Sequence, residues 1–477
     1  MNQTATPLPL SIDDQLNALL HAQKKAFLAK PYPSLEQRVA DLDRFKASFS
    51  KYQAQLISAM SDDFGHRANN DSVLGDILPT FGCLKYTKKR LKSWMKPQKR
   101  HSGLLLAPAS VRVEYQPLGV VGIIVPWNFP IMLGLVPMIT ALAAGNRVML
   151  KQSEFTPKTN AVIKQCLAEV FDETQVVVVE GEADVAAAFS QLPFDHLLFT
   201  GSTEVGKHVM RAAANNLTPV TLELGGKSPA IIAPDIDLET AVKRLIFGKC
   251  MNSGQICVSP DYVLIPKEKV QMFIDLYCRK FRAMYPDFLN NKDYTHVVNE
   301  RQFSRIQSWL DDARQKGASI TPAIADGIDV ERRKMATQLI TQVSDDMTLA
   351  QQEIFGPILP IIPYDSLEQA IKYIQDRPRP LALYIMSFDK QTQQQIIQRT
   401  HSGGVAINDT VMQVAAEDAP FGGVGPSGMG HYHGIEGFKT FSKAKTVFSQ
   451  GKIYTAGLVQ PPYKGLVQSL IKKLFVR

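Results

Sequence analysis

The feature that most narrows the fold is a series of short apolar runs between residues 119 and 224. Residues 120–125, Arg147–Lys151, Val176–Val179, His196–Thr200 and 220–224 are each too short for a buried helix and apolar nearly throughout. Between them lie segments with helical spacing: 131–144, one opening near Pro157, one after Val179, and 204–214. Continuous apolar strands alternating with helices predict a parallel sheet covered on both faces, with ligands at the carboxyl ends of its strands. The fold class expected is therefore α/β, with a Rossmann-type cofactor domain.

The chain after residue 225 repeats the alternation less cleanly. A helix is expected over 239–250, a strand over 262–265 and helices over 267–285 and 299–315. Strands are expected over 356–363, 381–387 and 403–407, which makes a second α/β domain. Before the series, residues 12–96 have apolar residues at helical spacing and form a helical lead-in. In 104–118, Val111, Val113 and Tyr115 alternate with Arg112 and Glu114, the pattern of a half-exposed strand: an arm for another subunit, or an ordinary edge strand. A chain of 477 residues is long enough for two or three such units.

Composition excludes several classes. At 45% hydrophobic and 21% charged residues the chain is globular. The net charge of +8 is spread out, with no basic stripe interleaved with aromatics, so no nucleic-acid site is expected. Five cysteines, at 83, 166, 250, 257 and 278, form no C-x-x-C pair, which suits free thiols in a reducing, cytoplasmic setting. Residues 1–7 lack the charge and apolar stretch of a signal peptide. Residues 119–145 imitate a membrane span, but Pro126, Pro130, Pro137 and Asn128 interrupt it.

Chemistry-bearing residues gather at strand ends. The turn Gly201-Ser202-Thr203-Glu204-Val205-Gly206 follows a strand and opens a helix, where backbone amides can approach a pyrophosphate; a plain tight turn remains the alternative. Lys151 and Glu154 stand after another strand of the same sheet, within reach of ribose hydroxyls or simply in a solvated loop. Glu223 ends an apolar strand, where desolvation would raise its pKa toward the range of a general base; pairing with Lys227 is the bland reading. Asn128, between Trp127 and Phe129, either donates to a developing oxyanion or holds its own turn together. Cys257 follows the turn Gly254-Gln255-Ile256, and from context alone a reactive and a structural role stand level. Cys83, Cys166 and Cys278 fall in helical patterns and Cys250 at a helix end, so these four are expected to pack.

Seven motifs occur in order: Pro-Trp-Asn-Phe-Pro (126–130), Lys-Gln-Ser-Glu (151–154), Phe-Thr-Gly-Ser-Thr-Glu-Val-Gly (199–206), Leu-Glu-Leu-Gly-Gly-Lys-Ser-Pro (222–229), Gly-Gln-Ile-Cys (254–257), Glu-Ile-Phe-Gly-Pro (353–357) and Pro-Phe-Gly-Gly-Val-Gly-Pro-Ser-Gly (420–428). Along roughly residues 100–450 the chain resembles the aldehyde dehydrogenases. It is nearest their class 3-like branch, and residues 428–442 are most similar to bacterial coniferyl aldehyde dehydrogenases. The resemblance implies NAD-dependent oxidation of an aldehyde, aromatic or long-chain aliphatic, to its acid. Cys257 would be the nucleophile, Asn128 and the Cys257 N–H the oxyanion donors, and Glu223 the base for thioester hydrolysis. Cofactor binding would fall to Pro126, Trp127, Lys151, Glu154, Gly201, Ser202, Gly206, Glu353 and Phe355. Glu154 favours NAD, with NADP an open alternative. Gln152 stands where the family usually has proline, so that loop is expected to be less rigid.

The implied division is a helical lead-in over 1–103, an oligomerisation arm strand over 104–118, the NAD-binding domain over 119–224 and the catalytic domain over 225–408. Residues 409–450 return to the cofactor domain and the arm, and 451–477 form an amphipathic tail. Apart from the small aldehyde, the expected partner is a second copy of the chain, as a homodimer. The tail is expected to pack on its own fold or on that partner, an anionic membrane surface being the weaker alternative. His431 and His433 have no third ligand at suitable spacing, so no metal is expected. Two other readings compete: a cysteine-dependent thioesterase-like hydrolase without hydride transfer, and an inactive interaction protein of the same fold.

Overall fold

The computed structural model describes residues 11–103, 106–454, 457, 460, 461, 463 and 465–476. Expectations for residues 1–10, Leu104, Leu105, Lys464 and Arg477 lie outside it.

Three sheets organise the chain, beside a two-stranded pairing of Ile328–Asp329 with Lys334–Met335. The first has the order Gly428–Met429, Val220–Glu223, His196–Thr200, Val120–Ile124, Arg147–Lys151, Val176–Val179. Its last five strands are parallel, and Gly428–Met429 adds an antiparallel edge with Gly428 opposite Glu223. The chain enters at Val120–Ile124, builds outward to Val176–Val179, then crosses back to His196–Thr200. The reversal of strand order therefore falls between Val120–Ile124 and His196–Thr200, the place where a doubly wound sheet opens a crevice.

The second sheet runs Ser319–Pro322, Gln338–Thr341, Ile358–Tyr364, Tyr262–Pro266, Pro229–Ile232, Ala382–Met386, Gly404–Ile407, parallel but for Ser319–Pro322. The strands Pro229–Ile232 and Gln338–Thr341, and the helices Leu367–Gln375 and Lys390–Arg399, were not expected from the sequence. Pro229–Ile232 has only four residues and begins on proline, yet it occupies an inner position between two longer strands. Only Leu224–Ser228 separates Glu223 from Pro229, so the carboxyl end of the first sheet meets the amino end of the second.

The third sheet is antiparallel: Gln98–Arg100, Ser110–Pro117, Ser442–Ser449. Its outer strand Ser442–Ser449 is largely exposed and leaves one edge unpaired.

The lead-in consists of helices Ile12–Ala29, Leu35–Phe64, Asn69–Ser72 and Leu78–Trp94, with a π-helical turn at Val73–Ile77. Ser11 and Ser34 cap the first two by accepting from Asp14 N and Gln37 N, and Gly65 ends the second in the left-handed conformation. Leu42, Phe45, Phe49 and Leu56 are fully buried on one face of Leu35–Phe64, which packs on Pro157–Ala168. Leu466–Phe475 is helical, but it buries none of its residues, and Leu466 is 91% exposed. Its apolar residues Leu466, Val467, Leu470, Leu474 and Phe475 are exposed, and Ile471 is half-buried.

Candidate active site

Two strand ends and one irregular turn meet where the first two sheets face each other. Asn128 follows Val120–Ile124, Glu223 closes Val220–Glu223, and Cys257 lies between helix Leu238–Cys250 and strand Tyr262–Pro266. The turn before Cys257 is more unusual than a glycine bend. Asn252, Ser253 and Gly254 are all left-handed, with φ of 48°, 55° and 73°. Left-handed non-glycine residues persist only where their surroundings over-determine them. Here the Asn252 N–H donates to Asp71 Oδ2 (3.0 Å) and its side chain to Asn128 O (3.3 Å) and Gln255 O (3.2 Å). Gln255 Nε2 donates to Asn252 O (2.9 Å) and His296 O (3.0 Å), and the Ser253 hydroxyl to Thr295 O. A side chain at Gly254 would meet Gly356 O at 2.7 Å, so only glycine fits.

Cys257 itself is half-buried, whereas Cys83, Cys166, Cys250 and Cys278 are buried. Its own N–H and that of Val258 face its sulfur, which favours the thiolate. Burial works the other way and, with the Glu353 and Glu223 carboxylates, pushes the thiol up to about 12. Asn128 is 2% exposed; its Nδ2 donates to Gln255 O (3.1 Å), and its own backbone carbonyl accepts from Arg67 Nη1 (2.6 Å). One side-chain N–H therefore fixes the amide to the turn before Cys257, and Nδ2 carries a second.

Glu223 is 3% exposed, and neither carboxylate oxygen has a hydrogen-bond partner. Burial alone holds its pKa well above the ordinary carboxylate range. The expected alternative partner, Lys227, is engaged elsewhere: its ammonium pairs with Asp261 and donates to Leu349 O (2.7 Å) and Gln352 O (3.0 Å).

Glu353 lies over the glycine crossing. A Cβ at Gly225 would come within 2.0 Å of its Oε2, and the Gly226 N–H donates to it. Burial first and Asp261 second raise its carboxyl to about 8, against Gly226, Lys227 and Arg305. Phe355, left-handed at φ 48°, meets Trp127 edge to face at 5.3 Å between centroids. Arg305 Nη2 holds that turn through Ile354 O (2.8 Å). Pro126 is half-buried beside Trp127.

The remaining residues line the first sheet's carboxyl edge. The Ser202 hydroxyl caps helix Thr203–Ala214 by accepting from Val205 N at 3.4 Å, and Gly201 N donates to Glu223 O (3.0 Å). A Cβ at Gly206 would strike Leu224 at 2.6 Å. Lys151 is 1% exposed and donates to Gln152 O and Gly181 O, both at 2.7 Å. Glu154 is half-buried and is the foremost of the acidic groups that act on Lys151. Gln152, where the family usually has proline, is buried toward Gly134 with both side-chain polar atoms unpartnered, and Asn160 Nδ2 donates to Ser153 O at 2.7 Å.

The lead-in contributes residues that the sequence did not single out. Arg67 and Asp76 form an ion pair at 2.9 Å with both side chains fully buried. The guanidinium sits between the Phe64 and Phe129 rings, 4.9 and 4.8 Å from their centroids. Asp76 Oδ1 accepts from Ile131 N (3.1 Å) and Met132 N (2.9 Å), and Asp71 accepts from Thr295 and Asn252. The run His66-Arg-Ala-Asn-Asn-Asp-Ser of mixed polar residues breaking a helical pattern was the available signal. Among the described residues no three His, Cys, Asp or Glu side chains converge to hold a metal ion.

The crevice fits a dinucleotide. It combines a helix amino end at Ser202–Thr203, an unpartnered buried Thr200 Oγ1, and glycines at 201, 206 and 225 that let the backbone pack closely against Phe199, Leu224 and Glu353. The model of the aldehyde dehydrogenase family matches residues 2–447. The chain belongs to the aldehyde dehydrogenase family. It is 53% identical to a probable coniferyl aldehyde dehydrogenase of Pseudomonas aeruginosa, over 97% of each chain. It is 45% identical to the coniferyl aldehyde dehydrogenase of a Pseudomonas species, over 97% of this chain and 96% of that one. Among solved structures, AldH of Staphylococcus aureus in a substrate-bound state superposes with a TM-score of 0.92 at 36% identity, covering 98% of this chain and 100% of that one. A Mycobacterium tuberculosis aldehyde dehydrogenase complexed with NAD+ gives 0.83 at 29% identity, covering 94% and 92%.

Proposed function

We propose that the protein oxidises an aromatic aldehyde of the coniferyl type to its carboxylic acid with NAD. The observation that carries this is the meeting of Cys257, Asn128 and the unpartnered Glu223 at the mouth of a dinucleotide crevice, in a chain half identical to a probable coniferyl aldehyde dehydrogenase.

Thr203 and its neighbours at the helix amino end, with Ser202, would hold the pyrophosphate; Lys151 and Glu154 the adenine ribose; Glu353 the nicotinamide ribose, with Phe355, Trp127 and Pro126 flanking the ring. The nicotinamide, when bound, accepts the hydride and brings a positive charge beside the thiol. Cys257 Sγ attacks the carbonyl carbon, and the free Nδ2 hydrogen of Asn128 and the Cys257 N–H donate to the oxygen. Departure of the hydride converts the thiohemiacetal to a thioester. Glu223, desolvated and unpaired, takes a proton from water, and the hydroxide displaces the thiol to leave the acid. Burial raises the Glu223 and Glu353 carboxyls and the Cys257 thiol alike, so both base steps require Glu223 in its ionised form: it receives the proton that Cys257 Sγ gives up on attack and, after passing that proton to solvent, the proton of the hydrolytic water. Glu154 beside the ribose disfavours a 2′-phosphate, hence NAD rather than NADP.

The free edge of Ser442–Ser449 supports a homodimer built through the three-stranded sheet. No helix among the described residues is long and apolar enough to cross a membrane. Free cysteines throughout the described chain suit a cytoplasmic setting. The test is NADH formation from coniferyl aldehyde and from long-chain alkanals by wild type and Cys257→Ala. Turnover only in the wild type, highest for the aromatic substrate, is the expected result. Turnover that persists in the variant removes Cys257 from the mechanism.

A further inference from the structure

Adjacent acids at 417 and 418 are put to different uses. Asp418 is exposed and takes surface partners, the Tyr86 hydroxyl and Arg90 at 3.8 Å. Glu417 turns inward instead, onto helix Leu78–Trp94. A Cβ at Gly82 would lie 4.0 Å from its Oε1, and its side-chain partner is the Cys83 thiol. Among the described residues no Lys, Arg or His forms an ion pair with it. Burial raises its carboxyl to about 7.

Buried polar atoms without partners lie between Glu417 and the reacting centre on the segment Tyr432-His433. Tyr432 and His433 are 0% and 1% exposed, and the Tyr432 hydroxyl and both His433 ring nitrogens have no hydrogen-bond partner. Phe421 stacks on His433 at 5.6 Å, and its carbonyl accepts from Tyr432 N at 3.1 Å. The Tyr432 hydroxyl is within electrostatic reach of Glu223 and Cys257 on one side and of Glu417 and Cys83 on the other. Nearby, Gln413 Oε1 is also unpartnered, while its Nε2 donates to the Tyr384 hydroxyl (3.1 Å), which itself caps Val258 O beside the nucleophile. Buried polar atoms are normally satisfied, so a run of exceptions beside a reactive thiol marks where a ligand completes them.

We propose that Glu417 accepts a hydrogen bond from a hydroxyl at the far end of the aldehyde, so that the enzyme selects phenolic over alkyl aldehydes. This rests on the aldehyde-oxidising reading above. A phenol is a strong donor, and a half-buried carboxylate with no cation paired to it gains more from it than it would in water. The Phe421 and Tyr432 rings suit the flat face of an aromatic ring between the two ends. A carboxylate that accepts from Cys83 still has acceptor capacity for a ligand hydroxyl, and an analogue lacking that hydroxyl forfeits the second hydrogen bond.

The experiment compares kcat/KM for para-hydroxycinnamaldehyde, its para-methoxy ether and a straight-chain alkanal, in wild type, Glu417→Leu and Glu417→Gln. Wild type is expected to favour the hydroxyl over the ether by about tenfold or more, the range of a hydrogen bond to a charged group. In Glu417→Leu that ratio falls to near one and alkanal turnover rises; in Glu417→Gln, which keeps the shape, it falls several-fold. An unchanged hydroxyl-to-ether ratio in Glu417→Gln, or in a folded Glu417→Leu, overturns the proposal. If wild type oxidises no aldehyde at all, it is the reading of the reaction that fails, and the two failures are told apart.

Discussion

Asp76 and Glu223 are both buried carboxylates, at 0% and 3% exposure, and the fold provides for them in opposite ways. Asp76 has an Arg67 guanidinium at 2.9 Å and two backbone N–H donors on its other oxygen. Glu223 has nothing on either oxygen. Both are desolvated, but Asp76 is raised only to about 6, while Glu223 is driven further up with no opposing cause. A satisfied buried charge holds elements in register; an unsatisfied one keeps its proton affinity available for chemistry. The difference lies in partners, since the degree of burial is nearly the same.

The sharpest way to break the comparison is to neutralise each acid. Glu223→Gln should lower steady-state turnover by ~10²–10⁴, the usual contribution of a general base, while leaving a rapid first burst of NADH. Its melting temperature should not fall, because no partner is lost and an unpaired carboxyl is removed. Pre-steady-state kinetics with a parallel thermal melt read both. Burst and steady state falling together would mean that Glu223 does not act in hydrolysis.

The opposite pattern is expected at the ion pair. Arg67→Met leaves Asp76 buried without its cation and should cost about 3–5 kcal/mol of stability. Because Arg67 Nη1 also holds Asn128 O at 2.6 Å, kcat should fall in the protein that remains folded. The double variant Arg67→Met/Asp76→Leu should recover most of the stability but not the kcat, since the Asn128 carbonyl stays unheld. Urea unfolding of the three proteins checks this; a double variant no better than the single one would show that the pair is not the source of the cost.

The contrast also explains what the sequence made readable. Continuous apolar strands such as Val176–Val179 and His196–Thr200 announce themselves because burial on both faces demands them, and the motifs at their ends located Asn128, Glu223 and Cys257. Pro229–Ile232 did not, since four residues opening on proline carry too little pattern, and only neighbouring strands define them. Arg67, Asp71 and Asp76 were missed because their partners lie far along the chain: Asp71 meets Asn252 and Thr295, and Arg67 meets Asn128. Nor could spacing reveal that Lys227 chooses Asp261 over Glu223. The left-handed run Asn252–Gly254 was readable only as a glycine turn, although two of its three residues are not glycine.

Glu353 offers a pH test of the same idea. Its carboxyl binds protons more tightly in the native chain, near 8, than in the unfolded one, near 4.5. Its contribution is therefore fully present below pH 4.5 and is lost as pH rises through about 8, each tenfold gain in proton affinity on folding being worth ~1.4 kcal/mol. His196, His296 and His433, all lowered to about 4 by burial, act in the opposite direction between 4 and 6.5. The quantity to measure is thus the difference between wild type and Glu353→Gln in the cofactor-free protein. That difference should move in favour of the variant as pH rises from 5 to 8, and a difference flat with pH would deny the raised carboxyl.

The smallest effect separates two roles at one residue. Ser202 caps helix Thr203–Ala214 at 3.4 Å, and the same hydroxyl is proposed to face the pyrophosphate. Ser202→Ala removes both and should cost ~1 kcal/mol in the cofactor-free protein while raising the KM for NAD several-fold. Ser202→Asp keeps a capping oxygen and suits the positive end of the helix, so its stability should match wild type. Its added negative charge, however, lies where a pyrophosphate would sit, and NAD binding should weaken more than in Ser202→Ala. Calorimetric titration of NAD into the three proteins decides the point. If Ser202→Asp binds NAD as wild type does, the pyrophosphate is not at this helix end, and Ser202, like Asp76, has a structural role alone.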